Sequence, residues 1–240
     1  MDRPDKRVVA SYRRLDEAPS ATEIANGLIR ESALVHGFVD GFEVHTLSQV
    51  TSLGSGLGVS SSIAVALAAT FSRLDVMRKG GNVEPRWQDG GEVAWRAAVA
   101  KHAWEVEIDR LLRPIGRQDH MAATYGGLRL YRFEQDGASV ERSFSEEDAA
   151  WVARHLLLVR LREGHDSYVI LSRVKSSNQL QAAYDAVAVG MDAIQARDPR
   201  ILGQALSIGL SSKMLIPGAV PASVREVIGE ISRCQGVYGC

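Results

Sequence analysis

Three groups of residues in this chain have the types and spacing that acid and phosphate chemistry needs. The first is Gly54-Ser-Gly-Leu-Gly-Val-Ser-Ser-Ser62, a glycine- and serine-rich stretch that runs straight into the apolar segment 63–71. Glycines let a backbone approach phosphate oxygens closely, and the unpaired amides and dipole of a following helix favour a negative group there. A plain structural turn into a helix is the other reading of the same residues. The stretch lacks the Gly-Lys-Ser/Thr ending of a Walker loop. Its GxGxG spacing is not a dinucleotide fingerprint, and it contains no GxSxG nucleophile elbow. With no lysine in the loop, phosphate charge falls to the amides of residues 54–61 and to a metal. Ser60 and Ser61 offer hydroxyls suited to Mg²⁺.

The second group is Glu107, which falls inside an apolar stripe formed by Trp104, Ile108 and Leu111. A carboxylate on a buried face is costly unless paired or metal-bound, so Glu107 is read as a metal ligand, as the partner of Arg110, or as snorkelling outward to solvent. Glu105 and Asp109 fall on a solvated face. The third is Gly116-Arg-Gln-Asp-His-Met-Ala-Ala-Thr-Tyr-Gly-Gly127, where Asp119 either faces a cleft or caps a helix. His120 is expected to pack or hydrogen-bond rather than ligate a metal, since no second ligand stands at the right spacing.

Stepping outward, Val8–Tyr12 is expected as a short strand. Ser20-Ala-Thr-Glu23 is a capping box that opens a helix carrying Ile24, Leu28 and Val35 and ending near Gly37. Residues 41–47 alternate as a half-buried strand. Ile63, Leu67, Phe71 and Leu74 recur at helical spacing among alanines, predicting a helix buried nearly all round. Residues 78–91 are turn-rich, and a long helix follows from Glu92 to about Leu112. Residues 128–144 are expected to form a hairpin with its turn at Asp136-Gly137, and His155–Leu161 a strongly apolar strand. Helices are predicted at about 176–196, 201–211 and 222–234, with a break at Asp198-Pro199. Strands come mainly early and helices mainly late, which predicts an α+β fold.

The 240 residues are 45% hydrophobic and 24% charged, with a formal net charge of -1, so no overall basic field favours nucleic acid or an anionic membrane. Two cysteines without a CxxC pair indicate neither a disulfide framework nor structural zinc, and a reducing cytoplasm fits. No sequence run is read as a membrane span or a signal segment.

The loop, Glu107 and the 116–127 run together resemble the GHMP kinases, most closely their sugar-phosphate branch, which includes enzymes that act on heptose 7-phosphate. Arg7-Val-Val-Ala-Ser-Tyr12, Ile29-Arg-Glu-Ser-Ala-Leu34 and Ser212-Lys-Met-Leu215 fit the same order of elements, so the resemblance spans nearly the whole chain. It implies a two-lobed fold, with an ATP- and Mg²⁺-binding domain at 1–145 and a C-terminal domain at 146–240. It implies transfer of the γ-phosphoryl of ATP to a sugar-phosphate hydroxyl, in the heptose branch the anomeric one. Carried over residue by residue, Gly54, Ser55, Gly56, Leu57, Gly58, Val59, Ser60 and Ser61 wrap the nucleotide phosphates. Ser60 and Glu107 hold Mg²⁺, Asp119 orients the acceptor hydroxyl, and Arg117 helps neutralise phosphate. The expected partners are ATP and a small sugar phosphate, with no nucleic acid or membrane; a homo-oligomer is allowed.

Three departures qualify what the resemblance implies. Val59 replaces a serine or threonine, Asp166 takes the place of an arginine near the expected sugar phosphate, and the family's first strand and last glycine-rich loop have no counterpart here. The chain is therefore expected to be partial at both ends. A nucleotide-binding remnant without activity and a galactokinase-like enzyme stand as the alternatives.

Overall fold

The computed structural model describes residues 4–48, 56–81, 91–161, 170–172 and 178–240. The chain divides into two units, residues 1–143 and 144–240.

In the first unit β1 (Val8–Ser11) is central. It pairs antiparallel with β2 (Leu15–Ala18) and parallel with β3 (Glu43–His45), giving the order β2-β1-β3. Val8, Val9 and Ala10 of β1 are buried because helices cover the strand. They are α1 (Gly27–Val35), α2 (Val59–Arg78) and α3 (Gly91–Trp104), and Ile29, Ala33, Leu67, Phe71, Val99 and Ala103 join Val8 and Ala10 in one core. A short helix α4 (Gln118–Tyr125) leads into the hairpin of β4 (Arg129–Glu134) and β5 (Gly137–Ser143). Met121 of α4 packs with Ala100 and Trp104, with Tyr131 and Val140 of the hairpin against them.

Several expectations change in detail. Strand β2 was not anticipated. Ser20 does cap a turn, accepting from the Thr22 amide, but the turn is a 3₁₀ segment at Ala21–Glu23. Asn26, whose side chain accepts from the Ile29 amide at 3.2 Å, starts α1 afresh. Two caps in quick succession split what the sequence presented as one helix. Helix α2 is buried on one side only, since Ser62, Ala66, Thr70 and Arg73 form an exposed stripe. Its length and composition alone would suit a bilayer, contrary to the sequence reading, yet its apolar face lies in the core of this unit.

The second unit packs α6 (Asn178–Ala196) on α7 (Pro199–Met214), with α5 (Glu146–Arg154) and α8 (Ala222–Ile231). Asp198 caps α7 through the Arg200 amide at 2.8 Å and Pro199 occupies its first turn, so this pair starts a helix as well as ending one. Helix α5 went unread although Ser145 and Asp148 complete a capping box. Among the described residues, Trp151, Ala193 and Leu202 form a buried cluster, and Ala205, Ile216, Ala219 and Val220 are buried as well.

The strand expected at 155–161 does not form. Leu156, Leu157, Leu158, Val159 and Leu161 are all exposed, and among the described residues no strand lies beside them to supply a ladder. An apolar run becomes a strand only when its backbone groups find partners.

Candidate active site

The candidate groups meet in the first unit, around the amino end of α2. Gly58 caps that helix in the left-handed conformation (φ 64°) and offers no side chain to the first-turn amides. Those amides and the positive end of the helix dipole are therefore open to an anion. A β-carbon placed on Gly58 would lie 3.2 Å from both Cγ and Oδ2 of Asp119. The loop end and the Asp119 carboxylate thus touch, and only glycine fits the space and the backbone angle together. Asp119 is exposed, in the first turn of α4; the cap of that helix is Arg117, so the alternative of Asp119 as a cap fails.

One residue further along, α4 turns inward. His120 is fully buried and its Nε2 lies 2.9 Å from Glu107 Oε2. An ionised carboxylate only accepts, so Nε2 carries the hydrogen and donates it. Nδ1 is buried without a hydrogen-bond partner among the described residues. The Ser61 hydroxyl donates to the same Oε2 at 3.0 Å, and the Arg113 guanidinium donates to Oε1 at 2.5 Å. Glu107 has no solvent exposure. Burial pushes its pKa up, but the hydrogen bonds and positive fields of His120 and Arg113 outweigh that and hold it below the usual carboxylate value.

Glu107 reaches this position because α3 widens into a π-helical turn over Glu105–Arg110, closed by the Leu111 amide on the Val106 carbonyl at 3.0 Å. The extra residue per turn brings Val106 and Glu107 inside together, a device common at functional sites. It also corrects the pairing expected from regular spacing. Arg110 bonds Glu31 at 2.9 Å, while Arg113, six residues on, folds back to Glu107.

Of the other site expectations, Gly54 and Ser55 lie outside the described residues, as does Asp166. Gly56 and Leu57 are exposed; Val59 and Ser60 are half-buried at the start of α2. Among the described residues the hydroxyl on Glu107 belongs to Ser61, where the family pattern pointed to Ser60. Arg117 is committed elsewhere. Its guanidinium donates to the carbonyls of Glu134, Gln135 and Gly137 at the hairpin turn and lies over the Trp104 ring. His120 and Arg113 are the residues that sequence reasoning left out of the site. The only signal for them was a cation within reach of a carboxylate on an apolar face.

Glu107 and Ser61 are hard oxygen donors of the kind that Mg²⁺ takes, and in that sense they fit the ion that GHMP kinases use. The charge of Glu107 is at present balanced by Arg113, and among the described residues no group of three or more histidine, cysteine or acidic side chains forms a ready metal cage.

No protein-family model and no curated protein matches the chain. Among solved structures it is similar to a D-glycero-D-manno-heptose 1-phosphate kinase from Bacteriodes thetaiotaomicron, with a TM-score of 0.59 and 15% identity over 93% of this chain and 68% of that one. The fold is therefore α+β and GHMP-kinase-like.

Proposed function

We propose that this chain is built to transfer the γ-phosphoryl group of ATP to a hydroxyl of a sugar phosphate, with the anomeric hydroxyl of D-glycero-D-manno-heptose 7-phosphate as the first candidate acceptor. The observation that carries the reading is the contact between Gly58 and the Asp119 carboxylate, made at the open amino end of the helix whose Ser61 bonds Glu107. Support also comes from the shared fold with a protein described as a heptose-phosphate kinase.

Phosphoryl transfer asks for positioning and for neutralised oxygens more than for covalent chemistry by the protein. The α2 amides and glycine backbone bind phosphate oxygens. Asp119, exposed and pressed against the loop, orients the acceptor hydroxyl and receives its proton. Glu107 and Ser61 would hold Mg²⁺, which neutralises charge on the phosphate oxygens when bound. His120 fixes the carboxylate of Glu107 and ties it to the helix that carries Asp119.

Calorimetry with MgATP followed by ADP release over phosphorylated heptoses, the 1-phosphate included, tests the proposal. Asp119→Asn should lower turnover roughly 10²–10⁴-fold while nucleotide binding persists. Full activity in that variant refutes the assigned role. Binding without turnover on every sugar supports the second reading, a nucleotide-binding remnant, which the full engagement of Glu107 by protein groups favours.

A further inference from the structure

Glu107 carries three bonds from its own chain, and they differ in how firmly they are built. Ser61 and His120 are buried on helices α2 and α4, and both donate to Oε2. Arg113 alone, among the described residues, donates to Oε1. It comes from the segment after the π turn, and its side chain retains 27% exposure.

The backbone there is the exit from the π turn. Leu112 stands just past the helix end, 81% exposed, in the left-handed conformation (φ 52°) that a residue at this place commonly takes. The Arg113 amide bonds the Glu107 carbonyl at 3.0 Å, and Pro114 follows. Leu112 directly precedes the arginine, so its backbone angles aim the guanidinium at Glu107.

Resting on the reading of the site given above, we propose that Arg113 is a displaceable internal cation. It closes Oε1 of Glu107 when the site is empty and yields that oxygen to a divalent cation. A divalent cation and a guanidinium at the same carboxylate oxygen repel each other and divide its charge, so the two compete. The buried charge stays balanced in both states, which an acid at this depth requires. Once released, the planar guanidinium suits an incoming phosphate, which it can grip through two parallel hydrogen bonds. Arg113 is then a positioning residue that links arrival of the cation to ordering of the polyphosphate.

The test uses Mn²⁺ alone as the probe, with free ion followed by electron paramagnetic resonance in the full chain. Arg113→Gln should bind Mn²⁺ about tenfold tighter than wild type or better, the size of an ordinary coupling between two sites. Its thermal midpoint should also rise more steeply with added cation than that of wild type. Arg113→Lys, which keeps a countercharge should the glutamine variant fail to fold, should fall between the two, because an ammonium lacks the fork. Glu107→Gln should abolish the gain in either background.

Equal or weaker Mn²⁺ affinity in both Arg113 variants overturns the proposal, as does a gain that survives Glu107→Gln. The kinase reading fails on a different observable, absence of ADP release from every phosphorylated heptose, which leaves the cation titration intact.

Discussion

Gly58→Ala is the substitution that most sharply separates a structural glycine from one that shapes the site. Two costs can be read from the coordinates. Alanine at φ 64° pays the left-handed penalty of about 1–2 kcal/mol, partly offset by roughly 0.4–1 kcal/mol from a less flexible unfolded chain. The net loss is about 1 kcal/mol. The second cost is steric. The new methyl meets Cγ and Oδ2 of Asp119 at 3.2 Å, and because Asp119 is exposed, the carboxylate gives way rather than the backbone. A displacement of that kind should cost about 10²-fold in kcat, the usual effect of a misplaced catalytic group. Gly56→Ala is the comparison. Its φ of 70° imposes the same backbone penalty, but among the described residues its β-carbon would meet nothing within 4 Å. Urea unfolding should therefore give similar losses for the two variants. Steady-state kinetics should show kcat falling in Gly58→Ala, whereas Gly56→Ala should act mainly on the KM for ATP. Equal kcat in the two variants would refute the link between the loop and Asp119.

Glu107→Ala strands the buried His120 and leaves Arg113 without its carboxylate, so urea unfolding should show a loss of about 3–5 kcal/mol. Because the folded pKa of Glu107 lies below its unfolded value of 4.5, the stability it contributes is complete above that value. It drains away as pH falls below 4.5, which a stability curve from pH 6 to 3 should record and Glu107→Gln should flatten. His36 acts in the same direction but at higher pH. Burial, then the neighbouring His102, push its pKa down to about 4, so the unfolded chain takes up a proton first as pH drops below 6.5. Stability is lost between pH 6.5 and 4, by about 1–2 kcal/mol once solvent screening of a partly buried ring is allowed for, and His36→Gln should remove that slope in pH-dependent urea midpoints. Leu112→Gly should stabilise the chain by about 0.5 kcal/mol, since relief of a left-handed leucine exceeds the entropy of glycine and the exposed side chain loses no packing.

The parts of this site that follow regular periods were legible in the sequence. The glycine-rich entry to α2 and the acid on an apolar helix face follow from local chemistry, and both lie where expected. The parts that depend on irregularity were not. A π turn leaves no mark in a 3.6-residue pattern, so Arg110 looked like the partner of Glu107, while Arg113 took that place across an extra residue. The choice between Ser60 and Ser61 turned on how Gly58 enters the helix, an angle that composition does not encode. Arg117 illustrates a different limit. A free-looking arginine beside a catalytic motif found three backbone carbonyls at a hairpin turn, a set of acceptors visible only once the hairpin is folded. The run at 155–161 has the composition of a buried strand, but composition supplies no partner, and the run stands exposed.

Phosphorus-31 resonance of a mixture of ATP, Mg²⁺ and heptose 7-phosphate addresses the central assignment most directly. With the wild-type chain a new sugar-phosphate signal should grow as the γ-phosphate signal of ATP declines, and with Asp119→Asn that growth should nearly stop. A γ-phosphate signal that stays constant with every phosphorylated heptose, or that declines equally fast in the Asp119 variant, would contradict the account.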